Sequence, residues 1–147
     1  WPSSHLEGRY GNKIKLKPVL SFKTKIAQIK NLPGGHTVGY GLTYVTKQKT
    51  KVAVIPVGYS DGIDRHLSST GEVLVKGKRC KILGRVAMNM FVIDINHLKN
   101  VGAENEVVII GNQDKEKISP EEIAHKIGSI NYEVTTRLSS LLPRMVK

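Results

Sequence analysis

The sequence predicts a mostly β domain, a small barrel or Greek key of about seven to nine short strands with one or two short helices at its C-terminal end. Three observations carry that expectation. Apolar and polar residues alternate with period two nearly everywhere up to Ile110, the pattern of strands buried on one face. Clusters of Gly, Pro and Asn break the alternation at short intervals, as turns do. Only beyond Ile110 does the apolar spacing become helical.

Taken in order, VLSFKTKIAQIK (residues 19–30) reads as one strand, ended by the turn signal NLPGG (31–35). HTVGYGLTYVTKQKTKVAVIPVGY reads as a strand, a polar turn around Lys47 to Thr50, and a second strand. The continuous run VAVIPV in that second strand implies burial on both faces and places Pro56 at its end or on an edge. Within the first, VGYGLTY sets Tyr40 between two glycines. Glycine weakens a strand interior, so it marks a bulge or a close approach by another backbone or a ligand. EVLVKGKRCKILG (72–84) is a hairpin turning at Lys76 and Gly77, with Val73, Val75, Cys80 and Ile82 available for one buried face. MFVIDI and NEVVIIG add two more strands.

SPEEIAHKIG (119–128) carries a full set of helix signals: Ser119 as N-cap, Pro120 at the first helical position, Glu122 closing a capping box and Gly128 as stop. Ile123 and Ile127 lie four apart and supply its docking face. NYEVTTRLSSLL offers a second short helix before Pro143, against the grain of its β-branched residues. The chain has no internal repeat and no low-complexity tract.

A length of 147 residues with 39% apolar and 24% charged residues is that of one globular domain. The opening WPSSHLEGRYGNKIKLKP has no initiator methionine and is rich in Pro, Ser and Gly. It suggests a fragment of something longer, with residues 1–16 an irregular lead-in from an upstream domain and 17–147 the β domain. No apolar run approaches the roughly 20 residues of a membrane span, and no signal sequence is visible, so a cytoplasmic location is expected. The single cysteine, Cys80, has no partner for a disulfide and reads as a small buried hydrophobe. None of the five histidines stands at metal-ligand spacing from another or from an acid, and no G-x-S-x-G, P-loop or G-x-G-x-x-G occurs; no metal is expected.

The net charge of +11 favours an anionic partner such as nucleic acid, phosphate, an acidic protein or a membrane surface. The lysines, however, recur at alternating positions (Lys13, Lys15, Lys17, Lys23, Lys25, Lys30, Lys47, Lys49, Lys51), which also describes a solvated sheet face. A small basic β-barrel that binds nucleic acid or another anion is therefore the rival reading. It requires aromatics interleaved with the cations as stacking platforms, and the chain is only 5% aromatic.

Two further stretches could carry chemistry. GYSDGIDR (58–65) directly follows the buried strand; Gly58, Asp61 and Gly62 make a tight turn in which Asp61 caps its own backbone, while Tyr59 and Arg65 are placed to line a site. GRVAMNM (84–90) ends another strand with Arg85, Met88 and Asn89 close together. These segments, together with VGYGLTY and INYEVTTRLSSLLPR and in this order and spacing, resemble the C-terminal domain of bacterial alanine racemases. The likeness runs from about Lys17 to Arg144 and includes the L-K-P-V-L opening and the SPEEIA helix.

The resemblance implies a part of an isomerase that uses pyridoxal phosphate (PLP), works as a homodimer and supplies D-alanine for cell-wall precursors. In that family an N-terminal (β/α)₈ barrel carries the cofactor lysine, and the mostly β C-terminal domain completes the active site of the partner subunit. The isolated domain would then be inactive. Racemisation needs two acid/base groups on opposite faces of the α-carbon, with PLP as the electron sink. Tyr40 matches the tyrosine that serves one face. A free phenol ionises near pH 10, so a phenolic base working near neutrality needs cations or hydrogen-bond donors beside it. Met88 matches the residue whose backbone N–H approaches the substrate carboxylate, Tyr59 the tyrosine that narrows the entrance, and Arg65 and Arg85 polar residues of that corridor. Three positions depart from the family: Asn89 stands where many members have aspartate, Ser140 where some have a tyrosine reaching the PLP phosphate, and Leu141 where arginine is common. A relative that keeps the fold for a transcriptional or structural role is a third possibility, and Tyr40 counts against it.

Overall fold

The computed structural model describes residues 17–146, so the expected lead-in at 1–16 lies outside the described residues. The first strand-like stretch is two strands. β1 (Phe22–Lys25) and β2 (Gln28–Leu32) are separated by Ile26 and Ala27. β3 (Thr37–Val38) and β4 (Tyr44–Val45) form a separate two-stranded hairpin, and β5 (Thr50–Ile55) follows. β6 (Glu72–Val75), β7 (Lys78–Leu83), β8 (Phe91–Asp94), β9 (Glu106–Gln113) and β10 (Glu116–Ile118) complete the strands, and helices α1 (Pro120–Ile127) and α2 (Asn131–Thr136) end the domain.

Among the described residues the main sheet has eight strands in the order β1-β9-β6-β7-β8-β5-β2, with β10 also on β9, and every pairing is antiparallel. A closed barrel was one form of the expectation; hydrogen bonding does not close this one. Its two edges, β1 and β2, are consecutive in the chain, so the seam is spanned covalently by Ile26–Ala27. At that seam Ile26 N donates to Asn105 O (3.0 Å) and Ala27 N to Val54 O (3.0 Å), one residue facing each edge. A single extended segment thus pairs first with β9 and then with β5, which is why it looks like one strand in sequence.

The rolled sheet encloses a core of aliphatic and aromatic residues, among them Ile26, Ile55, Leu74, Ile93, Ile95, Phe91 and Val107, all at most 1% exposed. β5 is buried nearly throughout and Pro56 falls just past its end, as the apolar run implied. The β6–β7 hairpin turns at Lys76 and Gly77, and Val73, Val75, Cys80 and Ile82 are buried; Leu74 and Leu83 on the other face are buried too. Cys80 is a free, buried thiol, pushed up to about 12 by burial and by the nearby carboxylates of Asp94 and Glu72. No described helix is long and apolar enough to cross a membrane.

Helix α1 begins and stops where its signals fall. The Ser119 hydroxyl accepts from Glu122 N (3.2 Å), Pro120 opens the helix and Gly128 ends it in the left-handed conformation. Ile123 is buried and Ile127 packs on the core, as the docking face required. The expected capping box is only half formed, because the Glu122 carboxylate turns instead to Arg79 of β7 (Nη1 to Oε1, 2.6 Å) and Lys126 (3.3 Å). A charged hydrogen bond to guanidinium outweighs a neutral backbone donor.

Candidate functional site

Tyr40 does not lie in a strand. After Val38 the chain leaves β3, and Tyr40–Leu42 form one 3₁₀ turn between the two strands of the small hairpin. Gly39 (φ 80°, ψ 173°) and Gly41 (φ 74°) make that turn possible, since side-chain-bearing residues rarely adopt either conformation. A β-carbon on Gly39 would stand 3.0 Å from Arg85 N, and one on Gly41 2.7 Å from the Arg85 guanidinium Nη1. The glycines therefore let the Tyr40 turn lie directly against Arg85. Tyr40 itself is 72% exposed.

A second junction joins GYSDGIDR to the same GRVAMNM segment. Tyr59 N donates to Ala87 O (3.1 Å), and Ser60 donates to Met88 O through both N (2.9 Å) and Oγ (2.7 Å). Asp61 Oδ2 accepts from Gly58 N (2.8 Å), the self-capping turn read from GYSDG. The Tyr40 turn abuts Arg85, and the Tyr59 loop abuts Met88. Tyr40, Tyr59, Arg65, Arg85, Met88 and Asn89 are all exposed along this part of the surface, which faces solvent with aromatic rings, guanidinium groups and thioethers. The N–H of Met88 has no acceptor among the described residues, whereas its carbonyl is held twice.

Beside Tyr59 opens a cleft of about 250 Å³ lined by Tyr59, Gly62, Ile63, Asp64, Arg65 and Arg137. Two of its charged groups, Asp64 and Arg137, had not been picked out as site residues. They are ion-paired across 73 residues of sequence. Asp64 also accepts from His66 N (2.8 Å) and from its ring Nδ1 (2.8 Å). Burial pushes the Asp64 carboxyl up, but the His66 backbone and ring and the Arg137 guanidinium together hold it below the ordinary aspartate value. Asp64 could have been suspected as the N-cap of the short turn Arg65–Leu67; nothing local in the sequence points from it to Arg137.

Ser140 lies one residue past Ser139, whose N–H donates to Asp61 O (3.2 Å); Ser140 is exposed and its hydroxyl has no partner among the described residues. Leu141 is 93% exposed. No lysine lines the cleft, and no group of three or more His, Cys, Asp or Glu residues among the described residues could hold a metal ion. As for stacking platforms, Phe22 and Phe91 are buried in the core. Lys23 and Lys25 are paired with Glu106 (3.0 Å) and Glu104 (2.7 Å), as expected of a solvated sheet face.

Fold and rim together define a class: a small antiparallel β domain with its own filled core and with tyrosines, guanidinium groups and thioethers exposed along one side. The family described as "Alanine racemase, C-terminal domain" matches residues 19–146, and the chain belongs to it. Alanine racemase from Halothermothrix orenii is 47% identical over 136 residues, covering 92% of this chain and 36% of that protein. Alanine racemase from Leptospira interrogans serovar Lai is 43% identical over 99% of the chain and 39% of its own length. Among solved structures, alanine racemase from Bacillus anthracis with bound L-Ala-P superposes with a TM-score of 0.86 at 40% identity, covering 95% of this chain and 35% of that one. The Clostridium difficile enzyme in complex with cycloserine gives 0.84 at 32% identity, with the same coverage. The chain thus spans little more than a third of the length of these relatives.

Proposed function

We propose that this chain is the substrate-facing C-terminal domain of a PLP-dependent alanine racemase, a cytoplasmic homodimer that interconverts L- and D-alanine for cell-wall precursors. It acts together with an N-terminal (β/α)₈ barrel that holds the cofactor and its lysine. The observation that carries the reading is the exposed Tyr40 on a turn braced by Gly39 and Gly41 against Arg85, in a chain of this family. Tyr40 is the acid/base group for one face of the α-carbon, and its hydroxyl takes or returns the α-proton there. The cofactor supplies the electron sink when bound. The family places the cofactor's covalent anchor on the barrel, and the exposed Ser140 hydroxyl of this domain is free to donate to a phosphate oxygen.

The remaining rim residues bind and exclude. Arg65 and Arg85 draw the substrate carboxylate inward, and the unpartnered N–H of Met88 is a donor for it. Tyr59 narrows the passage and favours a side chain as small as alanine's, while Asn89 leaves the entrance without the negative charge common in the family. The test is α-proton exchange with solvent deuterium for L- and D-alanine, in the PLP-loaded full-length protein and its Tyr40→Phe variant. A loss of about 10²- to 10⁴-fold for one enantiomer, with the other largely kept, is expected. Equal exchange of both, as in wild type, makes Tyr40 a structural tyrosine and returns anion binding to the front.

A further inference from the structure

The loop that carries Tyr59 and Arg65 is tied at two places. At one end Tyr59 and Ser60 are bonded to Ala87 and Met88. At the other the loop meets the end of α2: Asp61 O accepts from Ser139 N, and a β-carbon on Gly62 would lie 2.6 Å from Arg137 O. At this second place the side-chain link is the Asp64–Arg137 ion pair, with Arg137 also near Glu133 (3.5 Å). The Asp64 side chain is only 12% exposed although both its neighbours in the cleft, Tyr59 and Arg65, are exposed. A carboxylate so enclosed and so fully hydrogen-bonded holds its place firmly, and its loop with it.

We propose that Asp64, acting through Arg137, is a positioning residue that fastens the Tyr59–Leu67 loop to the end of α2 and thereby fixes the width of the cleft rimmed by Tyr59 and Arg65. The inference rests on the racemase reading for its kinetic consequence, since that reading makes the cleft the substrate's passage. Asp64 touches no reacting atom in this account. Its charge is used on Arg137, and Arg65 beside it is left free to face the cleft.

Asp64→Asn is the informative change, because asparagine still caps the Arg65–Leu67 turn and accepts from His66 N but no longer carries the charge that holds Arg137. In the PLP-loaded full-length protein, KM for alanine is expected to rise about three- to tenfold while kcat stays within about twofold, the pattern of lost uniform binding. Arg137→Met should do the same, and the double variant should be no worse than either single one, because both remove one link. Amide hydrogen exchange, which needs no activity, should accelerate in residues 58–67 and at Ser139 in Asp64→Asn and nowhere else. An unchanged KM with unchanged exchange, additive losses in the double variant, or a fall in kcat at constant KM overturns the inference. If wild type does not racemise alanine, the functional reading fails by itself, and hydrogen exchange still decides whether Asp64 fastens the loop.

Discussion

The two charged regions of this domain use the same residue types to opposite ends. Where α1 docks on the sheet, Arg79 meets Glu116 through Nε (3.0 Å) and both Glu122 (2.6 Å) and Glu72 (3.2 Å) through Nη1, and its Nη2 donates to Lys117 O (2.7 Å). Lys126 closes the ring onto Glu72 (2.9 Å) and Glu122. Every member there has an oppositely charged neighbour in the same chain. Among the described residues at the Tyr40 rim, Arg65 and Arg85 have no carboxylate within ion-pair distance and the N–H of Met88 has no acceptor. The first region is complete as it stands; the second is chemically open, which is what a surface needs if something else is to bind there.

The contrast predicts that damage at the rim shows in activity and damage at the network shows in stability. Gly39→Ala is the sharper rim variant, because its methyl would meet the backbone of Arg85 and its backbone angles suit glycine alone. The Tyr40 turn must then shift, and if Tyr40 is the acid/base group proposed above, a displacement of about 1 Å there can cost about a hundredfold in the rate of the full-length protein. The β3–β4 hairpin shares no ladder with the main sheet and packs on it through Val38, against Val52 and Leu83, so the unfolding midpoint should fall, but by less than the activity does. A Gly39→Ala protein with full activity, measured by alanine racemisation beside its thermal melt, would break the comparison at its functional end.

How much of this could be read beforehand follows from the distance over which each feature is decided. The Lys76–Gly77 hairpin and the Ser119 to Gly128 helix were legible because each is specified by residues within one or two turns of chain. The Tyr40 turn looks like strand in sequence because Val38, Tyr40 and Tyr44 keep a strand-like composition, and only the backbone angles of the two glycines reveal the departure. β10, three residues long, owes its existence to β9 rather than to any pattern of its own. Family likeness singles out Tyr40, Tyr59, Arg65, Arg85 and Met88, and the structure exposes all five. Asp64–Arg137 was not legible, because an ion pair 73 residues apart leaves no mark on local spacing. For the same reason Glu122 was assigned to its own helix cap although Arg79, on another element, holds it.

Arg79→Met tests the network end. It leaves Glu72, Glu116 and Glu122 facing one another with only Lys126 between them, at side chains that are 22% to 43% exposed. Partial solvent screening keeps the cost below that of a fully buried pair, at about 2 kcal/mol. Denaturant unfolding of the isolated domain should read this as a lower midpoint with an unchanged slope. The acid limb of stability should change as well. Burial pushes the Glu72 carboxyl up, but Lys126 and Arg79 together bring it below the ordinary glutamate value, and Glu122 is held below it chiefly by Arg79. Carboxyls depressed in the folded state contribute stability that is fully present above their unfolded value of 4.5 and is lost as pH falls through their folded values. Wild type should therefore lose stability below about pH 4.5, while Arg79→Met, already without most of that contribution, should show a shallower acid decline.

The smallest expected effect belongs to Lys25→Met, and it separates an enclosed network from a merely close pair. Lys25 sits 2.7 Å from Glu104, a shorter contact than most in the Arg79 network, yet the two side chains are 65% and 74% exposed. The hydrogen bond and the charge of Glu104 raise the Lys25 ammonium above its ordinary value, but water and salt compete for both groups and holding two long side chains in one geometry costs rotamer freedom. The unfolding midpoint should stay within experimental error of wild type, at low salt and at high. A clear loss at low salt that disappears at high salt would mean that separation alone decides the value of an ion pair here. An unmoved midpoint beside a lowered one in Arg79→Met would mean that enclosure and shared partners decide it, which is also the property that distinguishes Asp64 from the open guanidinium groups around it.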